Sequence, residues 1–443
     1  MIRAKIRAAV LCWSVIVLLL ATVPALGDVL NWQTGEVIPG TEGLTLGPGM
    51  DLSSIDWNYP ELDGVNLSSA TLTNAFLSWA DFSNATLTNA NLSTAQIMSS
   101  TLTNTILNNA NLFLGRFWND TLTNVNLTGA ILYEANFQGS SLTNANLTNA
   151  VVTGASFMGT NLTAYQLYST ASYQTETLSG ITLQDCDLSG WDLSGQTVSN
   201  GNLALADMDN ADLAMATFDK VTFQQSTLVS ANLTGANLSN ASFLFANLSN
   251  VNLTNANLTG TNFASATLTD ADLRGATGFN STGATTTNTI LPNGTIVGLR
   301  LGASETLTLR NYPMAIIVQQ GMTMNSSSVL QVVFSGTGWG STISFASGVV
   351  PTLGGTLELS VDSGTNPSTL LGRTFQLFNW PAGMPANDQF SMIEMDGGLQ
   401  WDVSQLYTNG DVTLTPEPAT LSLLALGGLA LLRRRPAALF QRP

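Results

Sequence analysis

Counting by fives from Leu62 reaches Leu67, Leu72, Leu77 and Phe82 and runs on to Leu167, and every one of these 22 positions is apolar. A second series from Leu178 to Leu273 adds 20 more. An amphipathic helix needs apolar residues at spacings of three and four, and a half-buried strand needs them at every second position, so neither template accounts for a period of five. Two residues before each centre there is usually alanine, as at Ala90, Ala145, Ala211 and Ala256. The remaining positions are mostly Asn, Asp, Ser, Thr or Gly, which gives a unit A-(N/D)-L-(S/T)-(N/G). A longer period is superimposed. Phe117, Phe137 and Phe157 are spaced by twenty, as are Phe223, Phe243 and Phe263, while TLTN, TLTN and SLTN recur at 101, 121 and 141. Four five-residue units therefore make one coil, and one face carries stacked rings.

The unit and its centres resemble the pentapeptide-repeat family over residues 50–275, about half the chain. The resemblance implies an all-β fold, a right-handed quadrilateral β-helix in which the central Leu or Phe and the small residue two before it point inward. A bulky centre fills the coil while only small side chains fit beside it, and each repeat buries too little alone, so stability comes from stacking. Forty-two repeats correspond to about ten coils, and at ~4.8 Å per coil to roughly 50 Å. Residues 28–51 read as a lead-in and 52–275 as the β-helix. The register slips once, because eleven residues separate Leu167 from Leu178 and strict counting would place Ser172 and Thr177 in the core. The break near 168–177, in a stretch holding Tyr165, Tyr168 and Tyr173, reads as a bulge or projecting loop. Residues 276–288 are rich in Gly, Thr and Asn and read as a linker. Short β-prone runs such as SVLQVVF and TLELSV, separated by Gly, Asn and Pro, then predict a second all-β domain over 289–415, sandwich or short solenoid.

Both ends of the chain carry transport signals. Residues 1–27 combine a basic head (Arg3, Lys5, Arg7), an apolar run to about Leu20, and small residues at Ala25 and Gly27, the layout of a secretory signal peptide cut after Gly27. Residues 416–443 hold Pro416-Glu417-Pro418, an apolar run from Ala419 to Leu432, and Arg433, Arg434 and Arg435. Fourteen apolar residues reach only about 21 Å as a helix, short of a ~30 Å hydrocarbon core, so the segment suits transient membrane association with its arginines on the cytoplasmic side. This tail resembles the PEP-CTERM sorting motif. The resemblance implies an exosortase that cuts near Pro416–Pro418 and delivers the protein to the surface or extracellular matrix of a Gram-negative bacterium. The late β-rich stretch ahead of the tail is also similar to the region that often precedes it in exported proteins.

Without both ends, residues 28–415 retain six Lys/Arg against 28 Asp/Glu, a net of −22. Such a surface repels nucleic acid and anionic lipid. Cys186 is then the only cysteine, which excludes an intramolecular disulfide. The chain has no histidine, which removes the usual acid/base, Ser-His and His-metal arrangements, and no enzyme activity or obligate cofactor is expected. The candidate site is acidic. Asp187 and Asp207 are twenty apart, as are Asp192 and Asp212, so stacking would bring each pair to about 5 Å on adjacent coils, a spacing that a weakly held Ca²⁺ could bridge. Trp339, Trp380 and Trp401 offer faces for stacking on sugar rings. The function expected is that of an exported, non-enzymatic structural or interaction protein, with an exopolysaccharide or another surface protein as partner and no nucleic acid. Two alternatives compete: a DNA-mimicking, topoisomerase-binding repeat protein, and a carboxylate- or Ca²⁺-dependent polysaccharide lyase whose cations would be Arg116, Lys220 and Arg274.

Overall fold

The computed structural model describes residues 27–416 except 337, 382–387 and 396–397; the leader 1–26 and the tail from Glu417 onward lie outside the described residues. The chain divides into two compact units, Met1–Asn136 with Ser140–Leu147, and Phe137–Gly139 with Thr148–Pro443.

In the first unit the five-residue period is a ladder. Each centre turns inward and its N–H donates to a carbonyl of the next coil, as from Leu67 to Thr86 at 2.7 Å and from Leu72 to Asn91 at 2.7 Å. On three faces of the coil the pairing is a single bridge, such as Thr86↔Ile106 and Thr101↔Thr121. On the fourth it widens into strands β1 (Asp56–Asn58), β2 (Phe76–Ser78), β3 (Gln96–Met98) and β4 (Arg116–Trp118), a parallel sheet in that order. Its register steps by twenty, Leu77↔Ile97 and Ile97↔Phe117 lying inside. Taken over both units, all 42 centres are buried.

The position two residues after the centre has left-handed backbone, with φ of 58° at Asn74, 59° at Asn104 and 57° at Asn124. Only Gly, Asn and Asp adopt this region at low cost, which is why the repeat ends in Asn or Gly. The asparagines also bond up the stack. The Asn104 amide donates to Asn84 at 3.1 Å, Asn124 to Asn104 at 3.0 Å and Asn144 to Asn124 at 3.2 Å.

One interior column departs from alanine. The Ser100 N–H donates to Oδ1 of Asp120 at 2.6 Å, and the Asp120 N–H donates to Oγ of Ser140 at 2.9 Å. Asp120 is 2% exposed, its Oδ2 has no partner, and burial pushes its carboxyl up to about 8. The folded state therefore holds a proton that the unfolded chain, titrating near 3.8, releases. The stabilisation is fully present below pH ~4 and lost as pH rises toward ~8. The melting temperature of the wild type should fall between pH 5 and pH 8.5, a window in which ordinary surface carboxylates no longer titrate. Asp120→Asn keeps the acceptor for Ser100 and should remove most of that slope; Asp270, which burial raises to about 6, supplies the remainder below pH 7. Equal slopes in the two proteins would contradict the assignment.

In the second unit the rings stack as the twenty-residue spacing predicts. Phe137 and Phe157 lie 5.5 Å apart, Phe223 and Phe243 4.5 Å, and Phe243 and Phe263 5.3 Å, all within 6° of parallel. The register break is helical rather than a projecting loop: α1 (Ala164–Tyr168) and α2 (Ala171–Gln174) fill it. Thr163 caps α1 in a reciprocal arrangement with Gln166. Ser172, which strict counting assigned to the interior, is buried, and its hydroxyl accepts the Val152 N–H at 2.9 Å. Thr177 instead bridges to Thr197 at the coil surface.

Residues 276–288, whose composition suggests a linker, make a further turn of the coil. Thr267 pairs with Thr285 and Asp272 with Ile290, at a step of eighteen instead of twenty. Beyond it the solenoid widens. Strands β5 (Thr295–Ile296), β6 (Leu299–Leu301), β7 (Thr306–Arg310), β8 (Ile316–Val318), β9 (Met322–Met324), β10 (Val329–Phe334), β11 (Ile343–Phe345) and β12 (Thr356–Val361) follow one another, each pairing in parallel with a strand at least one intervening strand away. Leu307↔Leu330↔Leu357 form one buried row. Outside runs a polar row in which Thr308 donates to Gln331 and Gln331 to Glu358, both at 2.9 Å. After β13 (Thr374–Gln376), β14 (Phe378–Asn379) and β15 (Met392–Met395), β16 (Gln400–Asp402) and β17 (Asp411–Thr415) pair antiparallel, with β13 on the other edge of β17. The all-β expectation holds, and residues 289–415 form a parallel solenoid ending in a small antiparallel sheet.

Candidate functional site

The coil register brings the acidic residues together as their spacing requires, Asp187 opposite Asp207 and Asp192 opposite Asp212. In each carboxylate, however, Oδ1 already accepts a backbone N–H two residues on: from Ser189 at 3.0 Å, Ser194 at 2.9 Å, Asp209 at 3.0 Å and Ala214 at 3.1 Å. The Ser189 hydroxyl and N–H hold Asp187 below the usual carboxylate range. Each pair thus offers a cation few free oxygens, against the about six to eight that Ca²⁺ takes. Among the described residues no group of three or more His, Cys, Asp or Glu is arranged to hold a metal ion. The local role of Asp192 is to anchor the register break. Its N–H donates to the Tyr168 hydroxyl, and its carbonyl accepts the Tyr173 hydroxyl at 2.7 Å. The two tyrosine rings lie 4.5 Å apart, and burial, then the charge of Asp192, pushes Tyr173 up to about 12. Tyr165 alone of the three projects, at 82% exposed.

The three tryptophans offered as sugar platforms belong to the C-terminal core. Trp401 is buried and lies 4.6 Å from the Phe334 ring, Trp339 packs 5.0 Å from the same ring, and Trp380 stacks on Phe378 at 4.2 Å while its Nε1 donates to Leu406. Cys186 is buried, and its Sγ donates to the Phe157 carbonyl. Of the sorting residues, Pro416 directly follows β17, while Glu417, Pro418, Arg433, Arg434 and Arg435 lie outside the described residues. No helix among the described residues is long and apolar enough to cross a membrane.

The cations proposed for a lyase are far apart in role. Lys220 is a surface residue 3.6 Å from Asp219. Arg274 is fully buried against Asp272 at 2.6 Å, and also donates to the Met314 and Arg310 carbonyls and to the Ser341 hydroxyl. Arg116 lines a shallow open cleft of about 450 Å³ on the first unit, beside the β1–β4 sheet. Gln96, Arg116 and Asn136 project from one column of the stack, with Asn74, Thr94 and Glu134 from the corner next to it. The Arg116 guanidinium lies 5.3 Å from the Trp118 ring centroid. At the adjoining corner Phe113 and Tyr133 stack at 5.7 Å, 37% and 39% exposed, and a hydrogen bond with Glu134 raises the Tyr133 hydroxyl above its ordinary value. Sequence reasoning saw Arg116 only as a scattered cation. The signal that groups it with its neighbours is the same step of twenty that groups the phenylalanines.

Comparison with known proteins agrees with this architecture. Eight copies of the pentapeptide-repeat family match residues 61–95, 121–159, 186–225, 218–255 and 246–277, and the PEP-CTERM protein-sorting motif matches 414–435. Among solved structures, HetL, a pentapeptide repeat protein involved in heterocyst differentiation regulation from the cyanobacterium Nostoc sp. strain PCC 7120, is 25% identical over 56% of this chain and 91% of its own, with a TM-score of 0.31. A pentapeptide repeat protein from the Arabidopsis thaliana thylakoid lumen is 29% identical over 24% of this chain and 62% of its own, TM-score 0.14. The plasmid-mediated fluoroquinolone resistance protein QnrB1 is 18% identical over 52% and 90%, TM-score 0.18. No curated protein sequence matches the chain. The chain is a pentapeptide-repeat protein with a C-terminal PEP-CTERM sorting motif. The motif implies export, processing by an exosortase and sorting to the cell surface.

Proposed function

We propose that the protein is a non-enzymatic structural or interaction component of the cell surface or extracellular matrix. Residues 1–27 direct its export, the C-terminal tail holds it briefly in the inner membrane, and exosortase cleavage near Pro416–Pro418 releases it. The observation that carries this reading is the position of the sorting motif against the fold. The last strand, Asp411–Thr415, with Leu414 buried and paired to Trp401, ends one residue before Pro416. A cut at the motif therefore falls directly after the last described strand and leaves every described strand in place. The acidic surface, net −22 over residues 28–415, keeps such a protein soluble and off anionic lipid. Cell fractionation tests the reading. The wild-type chain should be recovered from the surface and medium, and a variant with Pro416, Glu417 and Pro418 changed to alanine should stay in the inner membrane. Cytoplasmic wild-type protein would overturn it.

A further inference from the structure

The coil dictates what points inward and leaves the outward positions free, and on most faces those positions carry short Asn, Thr and Ser side chains. The face of β1–β4 gathers several longer side chains in one place. Outward from its strands stand Phe76, Gln96, Arg116, Met98 and Trp118. At the corner bounding the cleft the left-handed backbone is occupied by Thr94 (φ 59°) and Leu114 (φ 56°), residues for which it is unfavourable. None of these choices serves the core. Together they make an open cleft lined by amides, a hydroxyl, one guanidinium and one carboxylate, with the stacked Phe113 and Tyr133 rings beside it.

We propose that this cleft binds a neutral hexopyranose polysaccharide. The inference rests on the surface or matrix role proposed above and names the partner class and the site. Pyranose rings present two kinds of surface, hydroxyl edges that donate and accept and C–H faces that stack on aromatic rings. Gln96 supplies a donor and an acceptor, the Asn74 amide a donor, and the Arg116 guanidinium further donors for vicinal hydroxyls. Phe113 and Tyr133, stacked on each other beside the cleft and partly exposed, offer apolar ring surface for the C–H side of a sugar. The lining comes from successive coils at a rise of ~4.8 Å, comparable to one residue of an extended glycan, so a chain running along the stack passes Gln96, Arg116 and Asn136 in turn. Charge selects the class. Arg116 is the only Lys or Arg in residues 28–147, it is matched by Glu134 in the same cleft, and the −22 surface around it repels a polyanion.

The test is a titration of the purified full chain, followed by calorimetry and intrinsic tryptophan fluorescence, with cellohexaose, laminarihexaose and mannohexaose as neutral probes and an alginate hexamer as the anionic one. At least one neutral hexasaccharide should bind with Kd below about 1 mM, insensitive to salt between 50 mM and 500 mM. Arg116→Ala and the double variant Phe113→Ala/Tyr133→Ala should each weaken it at least tenfold without lowering the melting temperature. Failure of all three neutral probes at 10 mM, tighter and salt-sensitive binding of alginate, or unchanged binding by both variants would each overturn the proposal. A surface-located protein that binds none of the neutral probes would refute this inference alone, whereas a cytoplasmic protein would refute the reading beneath it.

Discussion

Phe243→Asp is expected to destabilise the protein by more than about 4 kcal/mol, enough to unfold most single domains at moderate temperature. The ring is fully buried, 4.5 Å from Phe223 and 5.3 Å from Phe263 in a nearly parallel stack. Removing it forfeits roughly 1.5–3 kcal/mol of apolar burial and opens a gap that a rigid coil cannot close. The new carboxylate adds a desolvation penalty or is forced to protonate. Phe245, two residues on in the same coil, provides the control. It is 58% exposed and left-handed at φ 61°, a conformation asparagine accepts more readily than phenylalanine, so Phe245→Asn should change stability by less than about 0.5 kcal/mol. Urea denaturation distinguishes them; similar midpoints would refute the inward and outward assignments.

The second large effect is expected at Arg274. Its guanidinium sits in the last regular coil, pairs with Asp272 through Nε and Nη2, and bonds carbonyls of Arg310 and Met314 in the wider solenoid that follows. Tyr312 lies over it at 5.0 Å. Arg274→Ala leaves Asp272 buried without its counter-ion and should cost about 3–5 kcal/mol. Exchanging both partners for apolar residues, Asp272→Ala with Arg274→Met, should recover a substantial part of that loss, because the expensive species is the unpaired charge. If the double variant is as unstable as the sum of the two singles, the pair is not coupled and the account of this joint is wrong.

The core of the coil was legible because each position is attested many times over. A five-residue spacing repeated through Leu62–Leu273 leaves no other arrangement that buries every centre, and the step of twenty between phenylalanines gave the stacking as well. What escaped had a physical reason in each case. Residues 276–288 read as a linker because the Gly, Thr and Asn of a coil corner are also the residues of a loop, and a step of eighteen breaks the count. The helices at 164–174 are too short for a periodic signal and form around the Thr163 cap and the Tyr168 and Tyr173 contacts with Asp192. Trp339, Trp380 and Trp401 were offered as surface platforms because sequence does not tell a core tryptophan from a surface one when the strands lack a clean period. For the acidic pairs the spacing gave the neighbours correctly but not the N–H donors that already engage each carboxylate. The cleft around Arg116 is assembled from four coils, so its residues are neighbours only once the twenty-residue step is applied to polar positions too.

The acidic coil is proposed to be exported and then trimmed at Pro416–Pro418, directly after β17. Intact-mass spectrometry of protein recovered from the cell surface and medium tests it most directly. The predicted result is a chain that begins near Asp28 and ends near Pro416–Pro418, with the apolar run and Arg433–Arg435 gone. Recovery of extracellular protein that still carries Arg433, Arg434 and Arg435 would contradict it.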